Sequence, residues 1–353
     1  MQHGHLRHVL MGSASVDRGQ ISWGPALVTS CVAGAIVFTC MQLDQIPIVF
    51  PLVVGAVFVG LANVGESTSQ RMRTMAWCTF WATIATLLGG LVAAFDLAQV
   101  PLAIVIALIT GFAGALGRRG ALIGLLTLVI YVIFSGSPDT ERTAITSAAL
   151  LAFGGLLQLI AGGAVAAISN RNNAHPSLGN EIHTSVLARI KEHRTKDDQF
   201  ARHAVRLAVA IGIATAIAQS TGWPHEYWIP MTVAWMARPD KNGTTTRVFD
   251  RTLGTIVGIG VSIFLIDVIG SGPLLITLYV FVGTLALVGL ISANYPIAVV
   301  GITVIVITLF TLDGEPLTES APYRVLCTLI AAVITIAASY LWQYKPKVTT
   351  DPE

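Results

Sequence analysis

Twelve apolar runs constrain the fold of this chain more than any other feature of its sequence. A helix needs about 20 apolar residues to cross a membrane. Only 11% of the residues are charged, against roughly a quarter in soluble domains, so a water-soluble single-core protein is excluded. The sequence predicts an all-α polytopic membrane protein of about 12 transmembrane helices. The runs are 22–42, 47–65, 74–95, 100–117, 120–136, 143–168, 203–220, 224–238, 248–268, 273–292, 295–311 and 322–342.

The positions of Lys and Arg predict the orientation of the chain. If the N-terminus is cytoplasmic and each run crosses once, every Lys and Arg except Arg142 and Arg324 falls on a cytoplasmic segment. We therefore expect a multi-pass protein of the cytoplasmic membrane with both termini inside. The predicted sections are an N-terminal tail (1–20), a first six-helix repeat (21–168), a cytoplasmic linker (169–202), a second six-helix repeat (203–343) and a C-terminal tail (344–353). Within the linker, 178–194 fits either an interfacial helix or a solvated connector.

Four landmarks recur in the same order and at nearly the same spacing in the two halves of the chain. Such self-similarity indicates an internal duplication. Because six spans per half is an even number, the two copies are predicted to be parallel, related by an axis along the membrane normal. The pairs are Pro51 and Pro230, Arg73 and Arg251, Phe134 and Phe310, and Arg142 and Arg324.

The second run of each half is interrupted by proline. Pro51 lies in the run 47–65 and Pro230 in the short run 224–238. Transporters built from repeats tend to bind substrate where corresponding helices are broken. Proline frees a backbone carbonyl, which in lipid needs a partner. We therefore expect structural hinges at Pro51 and Pro230 that face protein or a wet cavity.

Several arginines could bind an anion, since a guanidinium grips a carboxylate in bidentate fashion. Arg247 and Arg251 are four residues apart and share a helix face, either as positive-inside anchors or as a cationic entrance for an organic anion. Arg73 would be their partner from the first repeat. Arg142 and Arg324, on the outer side, either pair with nearby acids or form an outer anion site.

Aromatic and titratable residues gather around the eighth run. Trp223 and Tyr227 fit the interfacial aromatic belt, whereas Trp235, near the inner end, could stack on a flat substrate. His225 and Glu226 are the candidates for proton coupling.

Several kinds of function find no support in the sequence. No nucleotide-binding, zinc-protease or hydrolase motif occurs, so we expect no enzyme, no cofactor and no metal site. The net charge of +2 suggests no nucleic-acid partner.

The stretch Trp228-Ile-Pro-Met-Thr through Pro239, followed by Thr246-Arg247 and Arg251-Thr-Leu-Gly254-Thr255-x-x-Gly258, resembles the fusaric acid resistance family. These proteins are bacterial aromatic acid exporters, and plant aluminium-activated malate channels are distantly similar. The resemblance covers about 200–342 well and the first half loosely. It implies a six-plus-six helix bundle that moves organic anions outward, and it implicates in this chain Trp228, Pro230, Thr232, Arg247, Arg251, Gly254 and Thr255. Gly254 and Thr255 are expected to be further structural hinges.

The sequence therefore predicts an exporter of organic anions, in particular aromatic carboxylates, driven by the proton motive force. Its partners would be the anion and the lipid bilayer, and a homodimer is left open. Two other functions remain: a passive anion channel, and a non-transporting membrane subunit that assists an envelope enzyme.

Overall fold

A computed structural model describes residues 16–65, 67–136, 141–172 and 199–341. In these ranges the chain forms twelve α-helices, ten of which are long and apolar enough to cross a membrane. This confirms the all-α polytopic fold. The helices are α1 (Trp23–Gln42), α2 (Val49–Leu61), α3 (Thr68–Val92), α4 (Asp96–Phe112), α5 (Arg118–Ser135), α6 (Glu141–Asn172), α7 (Gln199–Thr221), α8 (Trp228–Met236), α9 (Lys241–Ile263), α10 (Pro273–Leu290), α11 (Tyr295–Leu312) and α12 (Leu317–Ser339).

The second helix of each half is too short to cross a bilayer. With 13 residues in α2 and 9 in α8, and a rise of 1.5 Å per residue, the two helices are about 20 and 14 Å long. A bilayer core is about 30 Å thick. Every residue of α8 is buried, as is every residue of α2 except Phe50. A helix that is apolar on all sides is a core helix, so the runs 47–65 and 224–238 form short central helices inside the bundle rather than full-length spans.

Pro51 and Pro230 occupy equivalent places in these central helices. Each is the third residue of its helix, within the first turn, where proline removes no intrahelical hydrogen bond. The prolines thus begin two short helices instead of breaking two long ones. The equivalent positions of the two prolines support the internal repeat. Both predicted hinges therefore lie at the starts of helices.

The packing of the helices also repeats between the halves. The first helix of each half packs against the fourth helix of the other half, α1 on α10 and α7 on α4. In both halves the third helix packs on the fifth, and the second and third pack on the sixth. Corresponding contacts of this kind are what two related six-helix units would make. The exchange of α1 and α7 joins the units around one continuous core.

Glycines permit the closest helix contacts. A Cβ on Gly254 of α9 would lie 2.6 Å from the Pro296 carbonyl oxygen of α11, and one on Gly258 would lie 2.6 Å from Thr303 Cβ. Small residues allow such approach where water cannot drive association. Gly254, which the sequence suggested as a hinge residue, is therefore a helix-packing residue in this structure.

Some of the predicted features lie outside the described residues. They are the histidine-containing start of the chain, the interfacial helix at 178–194 and the C-terminal tail beyond residue 341.

Candidate functional site

One face of α8 carries the residues that could contact a substrate. Trp228, Thr232 and Trp235 are spaced by four and three residues, so they lie above one another along the helix. All three are buried. Because α8 packs on α9 and α12, this face can meet side chains from both helices.

Two arginines lie against the tryptophans of α8. Arg324 of α12 places Cζ 4.7 Å from the centroid of the Trp228 ring, and Arg251 of α9 places Cζ 5.8 Å from that of Trp235. Each arginine is only 1% exposed. The two guanidinium groups are close enough for their charges to repel. Contact with an indole face stabilises a buried cation by about 2 kcal/mol, which offsets only part of the cost of burying it.

Most polar atoms of this group lack a hydrogen-bond partner among the described residues. They include all three guanidinium nitrogens of Arg324, two of Arg251, the indole nitrogen of Trp235 and the hydroxyl groups of Thr232 and Thr255. Buried polar groups are normally paired, and buried charges almost always so. Buried donors without an acceptor suit a bound anion. We call Arg251, Arg324, Trp228, Trp235 and Thr232 the buried arginine site.

A cavity of about 830 Å³ opens at the end of the bundle where α8 begins. Tyr227, which precedes α8, lies in its wall. No lysine or arginine occurs among the described residues that line it. We call it the acidic cavity, after the four carboxylates in its lining, which are Asp96, Glu226, Asp313 and Glu315.

Aromatic rings separate the acidic cavity from Arg324. Phe50, Phe134 and Phe310 line the cavity floor. Phe50 lies 6.2 Å from Phe134 and 5.9 Å from Phe310, and Phe310 lies 5.8 Å from Trp228, between ring centroids. Arg324 lies against that same Trp228 ring. These four rings therefore form an aromatic constriction over the buried arginine site.

His225 sits on this constriction. Its ring is 4.3 Å from Phe310 and 4.7 Å from Trp228 between centroids. Nε2 lies 2.7 Å from a carboxylate oxygen of Glu315, and Nδ1 lies 3.4 Å from the Tyr227 hydroxyl. The backbone has φ of 54°, a conformation uncommon outside glycine. Strain of this kind tends to occur at functional sites.

The partner of His225 is not its sequence neighbour Glu226. Glu226 lies in the wall of the acidic cavity, where burial and the nearby Asp96 raise the pKa of its carboxyl, against a lowering by the Gly222 amide. Glu315 comes from the connection between α11 and α12. The sequence offered no sign of this pairing, because only the packing of α8 on α12 brings the two segments together.

A second cavity, of about 310 Å³, lies at the opposite end of α8. Trp235 and Ala237, from the end of that helix, are in its wall. No aspartate or glutamate occurs among the described lining residues. We call it the basic cavity, after the charged and titratable residues in its lining, which are Arg118, Arg238, Arg247 and His203.

The part of the chain that contains this site is similar to a known family. Residues 213–338 match the fusaric acid resistance protein-like family. The match confirms the family resemblance predicted from the motifs between Trp228 and Gly258. It runs from within α7 to near the end of α12, so it contains the whole buried arginine site.

Curated relatives match a limited part of their own length. The inner membrane protein YccS of Escherichia coli K12 is 34% identical over 160 residues, 45% of this chain and 22% of the relative. Uncharacterized proteins of Haemophilus influenzae and Neisseria gonorrhoeae are 31% and 30% identical over 46% and 40% of this chain. The aligned stretches span 24% and 34% of those relatives. No solved structure gives a significant match.

The structure brings one of the remaining candidate arginines near the site and leaves another outside. Arg247 is half-buried in the wall of the basic cavity, with Cζ 3.5 Å from the centroid of the Tyr295 ring. Arg73 is exposed. It is the sixth residue of α3, whereas Arg251 is the eleventh of α9, so the two landmarks do not lie at the same depth. Arg142 is the second residue of α6, and its side chain lies outside the described part of the chain.

Proposed function

We propose that this chain is an inner-membrane exporter of organic anions, aromatic carboxylates in particular, and that it works by secondary transport. The observation that carries the proposal is the pair of buried arginines beside tryptophan rings, five of whose six guanidinium nitrogens have no hydrogen-bond partner among the described residues. A carboxylate would bridge Arg251 and Arg324 through charge-assisted hydrogen bonds. An aromatic body would lie along the face of α8 that carries Trp228 and Trp235.

The charges of the two cavities support outward movement. Under the positive-inside rule the basic cavity faces the cytoplasm. A basic mouth raises the local concentration of an anion and an acidic mouth lowers it. An anion would therefore enter through the basic cavity, bind at the buried arginine site and leave by the acidic cavity. The helices long and apolar enough to cross a membrane and the name of the relative YccS support the proposed inner-membrane location.

The aromatic constriction favours a moving carrier over an open pore. In this structure the buried arginine site is separated from the acidic cavity by the aromatic constriction. Repeat transporters expose a central site to one side at a time by moving one repeat against the other. A passive channel would instead need a continuous path past the same rings.

Flux in proteoliposomes tests this function. We expect vesicles that contain the protein to accumulate radiolabelled benzoate against its gradient, and beyond the level that passive permeation of benzoic acid gives in protein-free vesicles under the same proton gradient. Downhill flux alone would support the channel. Absence of flux for aromatic and aliphatic carboxylates alike, from folded protein, would support the non-transporting subunit.

Proton coupling is assigned to the His225–Glu315 pair. A protonated imidazole bound to the Glu315 carboxylate would hold His225 on Phe310 and Trp228 and so keep the constriction closed. Protonation from the outer side after the anion has left would close the exit. Other groups that face His225 or its cavity are Tyr227, Asp96, Glu226 and Asp313, and Arg324 lies behind Trp228.

We expect His225→Gln and Glu315→Gln to abolish the stimulation of export by a proton gradient while downhill export persists. Glutamine keeps the approximate size of each side chain but removes its titration. Benzoate flux with and without the gradient provides the measurement. Glu226→Gln is the matched control, because Glu226 lies in the same cavity and should leave the stimulation intact. Full stimulation in His225→Gln would overturn the assignment.

A further inference from the structure

The basic cavity has the features of a binding site, and none of its basic lining residues belongs to the buried arginine site. Its volume of about 310 Å³ lies at the lower end of the range usual for small-ligand pockets. Leu61, Leu122, Leu125 and Phe200 supply apolar wall, and the charged lining is basic. Such a cavity fits an organic anion with a compact apolar body.

Polar atoms around the cavity point to an anionic ligand. Trp235, 3% exposed, lines the cavity, and its indole nitrogen has no hydrogen-bond partner among the described residues. One guanidinium nitrogen of Arg247, in the cavity wall, is also buried without a partner among the described residues. The same holds for the hydroxyl of Tyr295, the ring on which Arg247 stacks. All three are donors, and an anion could accept from them.

The charge on Arg238 is also incompletely balanced. Arg238 lies in the connection between α8 and α9, where burial, with Arg247 nearby, lowers the pKa of its guanidinium to about 10. Asp240 offsets this effect in part. Two neighbouring guanidinium groups that repel each other would be stabilised by an anion between them.

Trp235 connects this cavity with the buried arginine site. Its ring lies in the cavity wall and also within 5.8 Å of the Arg251 guanidinium. Phe58 of α2 packs against its edge, with centroids 6.5 Å apart. A substrate bound in the cavity would therefore lie next to the ring that separates it from Arg251.

We infer that the basic cavity is a second anion site, in which an aromatic carboxylate places its carboxylate on Arg238 and Arg247 and its ring among the leucines. It is a loading site from which the anion passes by Trp235 to Arg251 and Arg324. The inference rests on the proposed function and adds to it a second bound substrate and a role for Arg238.

Equilibrium binding of radiolabelled benzoate to the purified full chain tests this inference. We expect two sites in the wild type. Arg238→Gln should weaken one of them at least about tenfold, since a hydrogen bond to a charged group is lost, and leave the other unchanged. Arg324→Gln should remove only the other site. Arg119→Gln, next to Arg118 but outside the cavity, is the matched control and should retain both.

A second variant guards against loss of folding. Leu122→Trp fills the cavity from its apolar wall with every charge in place, and it should remove the same site as Arg238→Gln. A single site that depends on Arg324 and is unaffected by Arg238→Gln or Leu122→Trp would overturn the loading site alone. Absence of benzoate binding at both sites would overturn the proposed function as well as the loading site.

Discussion

Replacing Arg324 with glutamine is expected to reduce benzoate export roughly a hundredfold. Placing an arginine at mid-membrane costs about 3 kcal/mol on the insertion scale, and 1.4 kcal/mol corresponds to a factor of ten. We expect binding of the anion to offset this cost in the wild type, so the loss of Arg324 should weaken binding by a similar free energy. Arg251→Gln should act similarly. Initial rates in proteoliposomes with equal amounts of folded protein provide the measurement.

The same substitution should stabilise the unliganded protein. The described residues supply no acceptor for Arg324, so its removal relieves a buried charge and leaves no partner behind. We expect the thermal unfolding midpoint to rise by a few degrees and to respond less to benzoate than that of the wild type, because only the basic cavity still binds the anion. Exposed Arg73 is the control, and Arg73→Gln should export at nearly the wild-type rate. Lost transport together with lower stability would mean that Arg324 is structural.

Replacing Gly154 with alanine is expected to prevent folding. A Cβ on Gly154 of α6 would lie 2.1 Å from the Leu52 carbonyl oxygen of α2, and one on Gly55 of α2 would lie 2.2 Å from the Leu151 carbonyl oxygen of α6. Both obstacles are backbone atoms, which cannot rotate away. The loss of folding free energy should therefore exceed the roughly 1–3 kcal/mol that overpacking usually causes.

Size-exclusion profiles and thermal unfolding in detergent measure this effect. Gly260→Ala is the matched control, because nothing lies within 4 Å of its Cβ position and alanine favours helix by about 1 kcal/mol. We expect that variant to be at least as stable as the wild type. A Gly154→Ala protein with wild-type stability would show that α2 and α6 are not packed this closely.

The sequence predicts the twelve helices well because long apolar runs separated by polar turns have few alternatives in a membrane. It does not reveal that α2 and α8 are shorter than a bilayer is thick and lie enclosed in the bundle. A fully buried central helix and a lipid-facing span are equally apolar, and the polar turns flanking 224–238 are short. Only the packing of α8 by its neighbours shows that all nine of its residues are buried.

Part of the candidate site could likewise be predicted from the sequence, and part could not. Arg251, Trp228, Thr232 and Trp235 were identified from residue type and family resemblance, and Arg324 from its place outside the cytoplasmic segments. The structure brings these five together. Arg73 was linked to them only by repeat spacing, which did not preserve depth.

Other residues of the site carried no local signal. Glu315 lies in a short connection, and tertiary contacts alone bring it to His225. Arg238 follows Trp235 by three residues, but the cavity that both line is formed by helices from both halves. Phe134 and Phe310 were recognised as landmarks of the repeat, but their place in the constriction depends on how helices from both halves meet.

Locating a bound anion tests the central claim most directly. Crystals of the full chain grown with 4-bromobenzoate would reveal the bromine by its anomalous scattering. The account predicts a bromine peak beside the face of α8 that carries Trp228 and Trp235, with the carboxylate on Arg251 and Arg324, and no such peak in Arg251→Gln/Arg324→Gln crystals. A wild-type structure with this site empty and bromine bound elsewhere would contradict it.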